Sequence, residues 1–407
     1  MKSIIIDIPE TCRKVLNILN EANFASYVVG GCIRDTYLGL TPKDWDITTN
    51  ATPEQVEQLF KDVIPTGRKY GTMTVKIEDD SYEVTTFRYD SEVTDGRRPE
   101  SVTFGQSILD DLQRRDFTIN AMAYNDLVGL VDPFEGLEDL KYKIIRTVGN
   151  PKDRFKEDGL RVLRALRFAV KYNFEIEDEC REEIRNGSSY IKNLSVERIT
   201  SELNEILKYI EDYNLIDLYK PLFDTIFETE FPDTYDKPKL LKLNFKETSL
   251  YWKFYKILSL RKSMWEAEAW LRKYKFSNNF IKTIINYYKI TEYAKDRGTI
   301  PKLSDIDARK LLSKVPYDSV YSYYQDYKKL NYFSELLFNN KDCPITIHQL
   351  AISGWDLIVQ GYNVRKIDSI KSYLLENYVL IDPSLNTKEK LIEILRKEKE
   401  NKNETND

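Results

Sequence analysis

Two hydrophobic periodicities divide this chain. Up to about residue 150, short β-branched and aromatic runs alternate with helix-like pieces; beyond it, strand signals fade and apolar residues recur at helical spacing. Tyr27-Val28-Val29 reads as a short strand ending at Gly30-Gly31, and Trp45 to Thr49 as another. Thr72 to Ile77 and Tyr82 to Phe87 flank the polar turn Glu78-Asp79-Asp80-Ser81, which predicts a hairpin. Thr52-Pro53-Glu54-Gln55 predicts a helix start: threonine caps, proline suits the first helical position, and Gln55 stands three residues after the cap. Lys152 to Lys171 carries apolar residues at 155, 159–160, 162–163, 166 and 169–170, the spacing of one helix with one buried face. Asp153 and Glu157 suit its positive N-terminal end. Ser195 to Leu207 predicts a second helix. From there to about 380, Tyr, Phe, Leu, Lys and Trp recur at helical spacing, broken near Pro232, Pro238, Pro301 and Pro344, and read as helical bundles in series. Lys388 onward begins as a charged helix, and the last eight or so residues are expected to be disordered. The fold class is therefore α+β, a small mixed sheet with helices followed by an all-helical remainder.

Composition narrows the function. A chain of 407 residues implies two to four domains. With 42% hydrophobic and 31% charged residues, and few glycines and prolines, it reads as helix-rich and soluble. The net charge of −5 argues against a generic polyanion-binding module but leaves room for a local basic stripe. Cys12, Cys32, Cys180 and Cys343 are far apart and His348 is the sole histidine, so no zinc site, disulfide scaffold or histidine-based nucleophile is expected. The N-terminal apolar run is three isoleucines broken by Asp7, which predicts no signal peptide, no membrane span and a cytoplasmic location.

Three clusters carry candidate chemistry. In the first, Gly30-Gly31-Cys32-Ile33-Arg34-Asp35 precedes Asp44-Trp45-Asp46. Glycines after a strand let the backbone approach a phosphate closely, and Arg34 adds a charged clamp. Asp44 and Asp46 stand two apart on a predicted strand, so their carboxylates share a side and suit a magnesium ion with room for phosphate oxygens and water. Glu83 offers a third carboxylate, and three acids can hold two metals about 3.5–4 Å apart, one lowering the pKa of a hydroxyl and the other gripping a triphosphate. The same residues also fit a glycine turn beside a solvated strand face. In the second cluster, Asp111 to Ala121, Arg114 and Arg115 are fixed donors for a triphosphate. Asp116 and Asn120, four apart, can hold ribose hydroxyls, and the 2′-OH marks a ribonucleotide. A helix cap with surface ion pairs fits these residues equally well.

The third cluster is Glu157-Asp158-Gly159-Leu160-Arg161. On one helix Asp158 and Arg161 share a face, as an ordinary ion pair or as a base reader. Cytosine and adenine both present an exocyclic amine beside a ring-nitrogen acceptor. An aspartate takes the amine hydrogen and an arginine donates to the nitrogen; uracil and guanine present the reverse order and would leave both unpaired. Arg164 and Arg167 extend a basic stripe of period three, suited to an RNA phosphate backbone.

In this order the clusters resemble class II tRNA nucleotidyltransferases, the CCA-adding enzymes, and the related bacterial poly(A) polymerases. The matching stretches are YVVGGCIRD, DWDITTNATPEQV, PTGRKYGTMTV, YEVTTFR, DDLQRRDFTINAMA, DPFEGLEDL, RFKEDGLRVLRALRF and SVERITSEL, roughly residues 27 to 207. The resemblance assigns Gly30, Gly31 and Arg34 to phosphate binding, Asp44 and Asp46 to the metal, and Arg114, Arg115, Asp116 and Asn120 to the triphosphate and ribose. Glu157, Asp158 and Arg161 match its base-reading motif, and Glu83 matches a family position. It implies a seahorse-like architecture: catalytic head 1–148, neck 149–207, and a helical body 208–310 and tail 311–407 that grip tRNA. It also implies a magnesium-dependent, template-independent addition of CCA to the tRNA 3′ end from CTP and ATP, with release of pyrophosphate.

Partial addition of CC or A, poly(A) synthesis and an inactive RNA-binding relative are the other readings. Tyr89 to Ile108, with Asp95-Gly96-Arg97-Arg98-Pro99, resembles the flexible loop that CC-only members shorten, and it is full length here. The poly(A) polymerases carry a basic stretch soon after the acidic pair, where this chain has ATPEQVEQLF. Both points favour CCA. Two positions depart from the family: Glu135 stands where glycine is usual, and Gly159 where alanine is commoner, at an expected cost of about 1 kcal/mol inside a helix. The oligomeric state is not legible.

Overall fold

In the computed structural model, which describes residues 5–90, 102–105, 107–211, 214–228, 245, 248–260, 262–295, 304–326 and 330–404, the strand signals fall on one mixed sheet. The strands β1 (Ser26–Val29), β2 (Ile47–Thr49), β3 (Val63–Gly67), β4 (Thr72–Ile77), β5 (Asp80–Thr86), β8 (Ala123–Asn125) and β9 (Gly129–Val131) order as β3-β4-β5-β2-β1-β8-β9. The β2–β5 pair is parallel and the other pairs are antiparallel. Strands β6 (Arg88–Asp90) and β7 (Val102–Phe104) form a separate ribbon, and β10 (Ile144–Ile145) pairs with β11 (Glu175–Ile176). Helix α1 (Glu10–Glu21) buries Cys12, Val15, Leu16 and Leu19, an i, i+3, i+4, i+7 stripe, and packs on β1. All three residues of β2 are buried, as a central strand demands. Helices α2 (Gly31–Tyr37), α3 (Pro53–Leu59), α4 (Ile108–Gln113) and α5 (Gly136–Tyr142) flank the sheet, and α3 starts at the expected Thr52–Gln55 capping box.

Three local expectations need correction. The strand expected from Trp45 begins at Ile47, although the Val29 amide donates to the Asp46 carbonyl (2.9 Å) and so extends the ladder by one bond. The hairpin turn is two residues, Glu78-Asp79, because Ile77 pairs with Asp80; Glu78 takes φ 53°, as a two-residue turn requires. The single helix expected over Lys152 to Lys171 is two, α6 (Pro151–Glu157) and α7 (Leu160–Tyr172). Asp158 between them is extended (φ −146°, ψ 103°), and its Oδ1 accepts the Leu160 amide (3.0 Å), capping α7. Gly159 is therefore not a helix-interior glycine: an added Cβ would lie 2.1 Å from the Tyr190 carbonyl oxygen. After α8 (Asp178–Arg185) and α9 (Ser188–Ile191), α10 (Val196–Tyr209) packs along α7, and α11 (Asn214–Leu218) and α12 (Lys220–Phe227) follow.

The chain divides into two compact units, Met1–Lys246 and Glu247–Asp407. The described part of the second is helical: α13 (Leu250–Ser259), α14 (Met264–Lys273), α15 (Asn278–Lys295), α16 (Asp305–Leu312), α17 (Tyr317–Asp326), α18 (Leu330–Asn340), α19 (Gly354–Val359), α20 (Ile367–Leu374) and α21 (Lys388–Glu404). Its aromatics are largely core: Trp252, Tyr255, Tyr287 and Tyr323 interlock edge to face. Helix α21 runs to Glu404, through most of the stretch expected to be disordered; residues 405–407 lie outside the described residues, as does most of the loop around Asp95 to Pro99. Among the described residues no helix is long and apolar enough to cross a membrane.

Candidate active site

The first cluster closes around the end of β1. Gly30 takes φ +81° as it turns the strand into α2, a conformation that costs glycine nothing. A Cβ there would meet Arg115 Nη1 at 3.0 Å, so the guanidinium lies against the turn. Gly31 opens α2 with Arg34 folded back over it. Asp44, Asp46 and Glu83 line one cavity of about 560 Å³, with Lys43, Trp45 and Thr74. Asp46 is exposed to that cavity, yet crowding by the protein pushes its carboxyl pKa up; Arg115 opposes the shift, and Glu83 and Asp44 add to it. Gathered negative charge and oxygen donors fit a hard divalent cation. Among the described residues no three His, Cys, Asp or Glu side chains come close enough to share an ion, and of the two acids beside Asp46, Glu83 acts on it more strongly than Asp44 does.

The second cluster is built on a buried acid. Asp111 in α4 accepts from Arg114 Nε (3.0 Å) and Nη2 (2.7 Å) and from Arg115 Nη2 (3.0 Å), and so aims both arginines. Arg115 Nε is buried with no acceptor. Asp116 and Asn120 do not start an α-helix; Asp116 precedes the 3₁₀ turn Thr118–Asn120 and Asn120 ends it, and Asn120 Nδ2 donates to Asp116 Oδ1 (3.0 Å). Burial pushes the Asp116 carboxyl up, but Arg164 and the hydrogen bonds from Asn120 and the Phe117 amide outweigh it and bring it down to about 2.

Arg34, expected at a phosphate, is buried among internal partners. It donates to Asp35 (2.8 Å) and to Asn120 Oδ1, and its guanidinium lies 5.2 Å from the Phe168 ring and 4.9 Å from the Tyr172 ring of α7. Tyr172 in turn donates to Asp35 (2.9 Å).

The third cluster sits at the α6–α7 junction. Asp158 and Arg161 are not paired with each other. Arg161 donates to Glu157 (2.7 Å) and to the carbonyls of Arg154 (3.2 Å) and Arg114 (3.0 Å), the last tying this junction to the arginine pair. Asp158 Oδ2 accepts from Arg198 of α10 (2.7 Å). The stripe beyond turns inward: Arg164 Nη2 meets Asp116 at 2.6 Å, and Arg167 lies 2.9 Å from Glu202. Burial raises the Glu202 carboxyl despite Arg167 and Arg164. Sequence reasoning gave no part to Asp111, Tyr172, Arg198 or Glu202. The spacing of Asp111, three and four residues before the arginines, was a usable signal; Tyr172 and Glu202 carried none, because their partners are distant in sequence.

Residues 26–146 match the poly A polymerase head domain family, and residues 173–216 match a probable RNA and SrmB-binding site of polymerase A. The CCA-adding enzyme of Staphylococcus aureus strain Mu3 is 44% identical over 201 residues, 49% of this chain and 50% of that protein. The chain thus spans about half the length of the curated relatives it matches. The Bacillus stearothermophilus CCA-adding enzyme in complex with CTP superposes with a TM-score of 0.70 at 26% identity, covering 96% of this chain and 98% of that one. A Thermotoga maritima CCA-adding enzyme complexed with tRNA-CCA shares the fold, with a TM-score of 0.61 at 21% identity over 95% and 94% of the two chains.

Proposed function

Because the chain belongs to the family of class II CCA-adding enzymes and bacterial poly(A) polymerases, we propose that it adds CCA to the 3′ end of tRNA from CTP and ATP, without a nucleic-acid template and with release of pyrophosphate. The observation that carries this reading is the convergence of three clusters: Arg115 lies against the Gly30 turn that follows the Val29 amide bonded to the Asp46 carbonyl, and Arg161 donates to the Arg114 carbonyl. Acid pair, triphosphate donors and base reader are thereby joined across more than a hundred residues of sequence.

On this reading Asp44 and Asp46 hold magnesium, one ion or two, which when bound favours the deprotonated tRNA 3′-hydroxyl and offsets charge on the triphosphate. Arg115, with Arg114 beside it, receives the β- and γ-phosphates and steadies the departing pyrophosphate. Gly30 lets the triphosphate approach the backbone closely. Asp116 and Asn120 face the ribose, and Arg34 braces Asn120 from behind. Asp158 accepts the amine of cytosine or adenine while Arg161 donates to the adjacent ring nitrogen, so UTP and GTP leave both unpaired. On the same reading residues 1–148 form the catalytic head and 149–207 the neck, and the helices of 208–310 and 311–407 hold the tRNA. The reaction belongs in the cytoplasm. The test is to incubate the protein with tRNA ending at the discriminator base, at C or at CC, with labelled CTP or ATP, and to sequence the products. CCA ends are expected; CC-only, A-only or poly(A) products would assign the other members of the family, and no transfer would overturn the reading.

A further inference from the structure

Asp158 is held by two donors from two different helices. Its Oδ1 takes the Leu160 amide at the start of α7 (3.0 Å), and its Oδ2 takes the Arg198 guanidinium from α10 (2.7 Å). Both side chains are largely enclosed, 26% and 21% exposed. Arg161, three residues on, is oriented by an independent set: Glu157 and the carbonyls of Arg154 and Arg114. The two base-reading side chains are thus aimed by separate holders and not by one another. A carboxylate has about four lone-pair positions. With one donor fixed on each oxygen, the remaining positions point in one set of directions. Without the Arg198 contact the terminal torsion of Asp158, intrinsically broad, is held by the Leu160 amide alone.

We infer that Arg198 is a positioning residue for nucleotide choice: it sets the acceptor direction of Asp158 and so the preference for bases that present an amine. This rests on the base-reading role proposed above. Lysine retains the charge of Arg198 without its planar fork, so it restores the effect in part.

The experiment measures kcat and KM for CTP, ATP, UTP and GTP in the full-length protein with tRNA acceptor, for wild type, Arg198→Ala, Arg198→Lys, Asp158→Ala and the double variant. Misplacement of a positioned group by about 1 Å costs on the order of 100-fold. Arg198→Ala is expected to lower kcat/KM for CTP and ATP by about 10- to 100-fold, chiefly through KM, with little change for UTP and GTP, so that discrimination falls by the same factor. Arg198→Lys should recover part of it, and Arg198→Ala should add nothing to the selectivity already lost in Asp158→Ala. An equal loss for all four nucleotides, with discrimination kept, would overturn the inference, as would additive losses in the double variant. If Arg198→Ala fails to fold by circular dichroism, Arg198→Gln carries the same measurement to the same two outcomes. Wild-type protein that transfers no nucleotide refutes the proposed function instead.

Discussion

Replacing Gly159 with alanine sets two opposing effects against each other. Gly159 has φ −59° and ψ −18°, which alanine adopts freely, and read as the helix-interior position that the sequence suggested, the change would gain about 1 kcal/mol. Against this, the added Cβ would lie 2.1 Å from the Tyr190 carbonyl oxygen and 2.7 Å from its carbon. Ordinary contact begins near 3.4 Å, so backbone must retreat by more than 1 Å. Tyr190 is not free to do so: its ring packs on Phe155 and its hydroxyl bonds Glu183. Overpacking of this kind costs about 1–3 kcal/mol, and contact with backbone puts it in the upper part of that range. The net expectation is a loss of about 1–2 kcal/mol, opposite in sign to the propensity argument. A chain of two units need not unfold in one transition, so the readout is amide exchange in α7 and α10, where about 1.4 kcal/mol is a tenfold loss of protection. A shifted junction also moves Asp158, so kcat/KM for CTP should fall with it. Protection equal to or above wild type would refute the steric reasoning, and an alanine here would then need only a small adjustment of α9.

Asp116→Asn should destabilise the head by about 2–3 kcal/mol, below the cost for a fully buried pair because Arg164 is one-third exposed. In the wild type the Asp116 carboxyl is depressed to about 2 on folding, so its contribution is fully present above about pH 4 and is lost as pH falls through 2. Urea unfolding followed across that range should therefore show a steeper acid slope in wild type than in Asp116→Asn. Asp46→Ala should abolish nucleotide transfer and spare tRNA binding in a gel-shift assay; transfer retained by that variant sinks the metal assignment. Arg161→Ala should relax nucleotide choice, and unchanged rejection of UTP and GTP would remove its base-reading role. Glu135 stands at φ 59°, ψ 31°, a left-handed conformation costing a non-glycine residue about 1–2 kcal/mol. Glu135→Gly relieves that strain against an unfolded-chain entropy cost of about 0.4–1 kcal/mol, so a net gain of roughly 0.5–1 kcal/mol is expected in the urea midpoint, and a lowered midpoint contradicts it.

Much of the head was legible along the chain. The β1 run, the hairpin strands and the Thr52–Gln55 capping box depend on residues a few positions apart, and each lies where local pattern put it, within a residue or two. The candidate chemistry was equally local: two acids two apart, two adjacent arginines, an acid and an arginine three apart. What the pattern misjudged was continuity. Apolar spacing carries through Asp158 and Gly159, so one helix was expected; the break comes from the Tyr190 carbonyl, 31 positions after Gly159, and from the cap that Asp158 makes.

The partners of the charged groups were the part that tertiary structure alone decided. A sequence names Arg34, Arg161, Arg164 and Arg167 as cations and leaves open which anion each meets. Folding sets Arg34 between Asn120 and two rings of α7, Arg164 on Asp116, Arg167 on Glu202 and Asp158 under Arg198, each partner 35 or more residues away in the chain. The physical reason is that element formation is driven by near-neighbour backbone geometry and side-chain periodicity, whereas a half-buried charge takes the counter-charge that packing brings within about 3 Å. The residue types proposed for phosphate, metal and base were therefore determined by the sequence itself; the direction in which each points was settled by helices and strands remote from it.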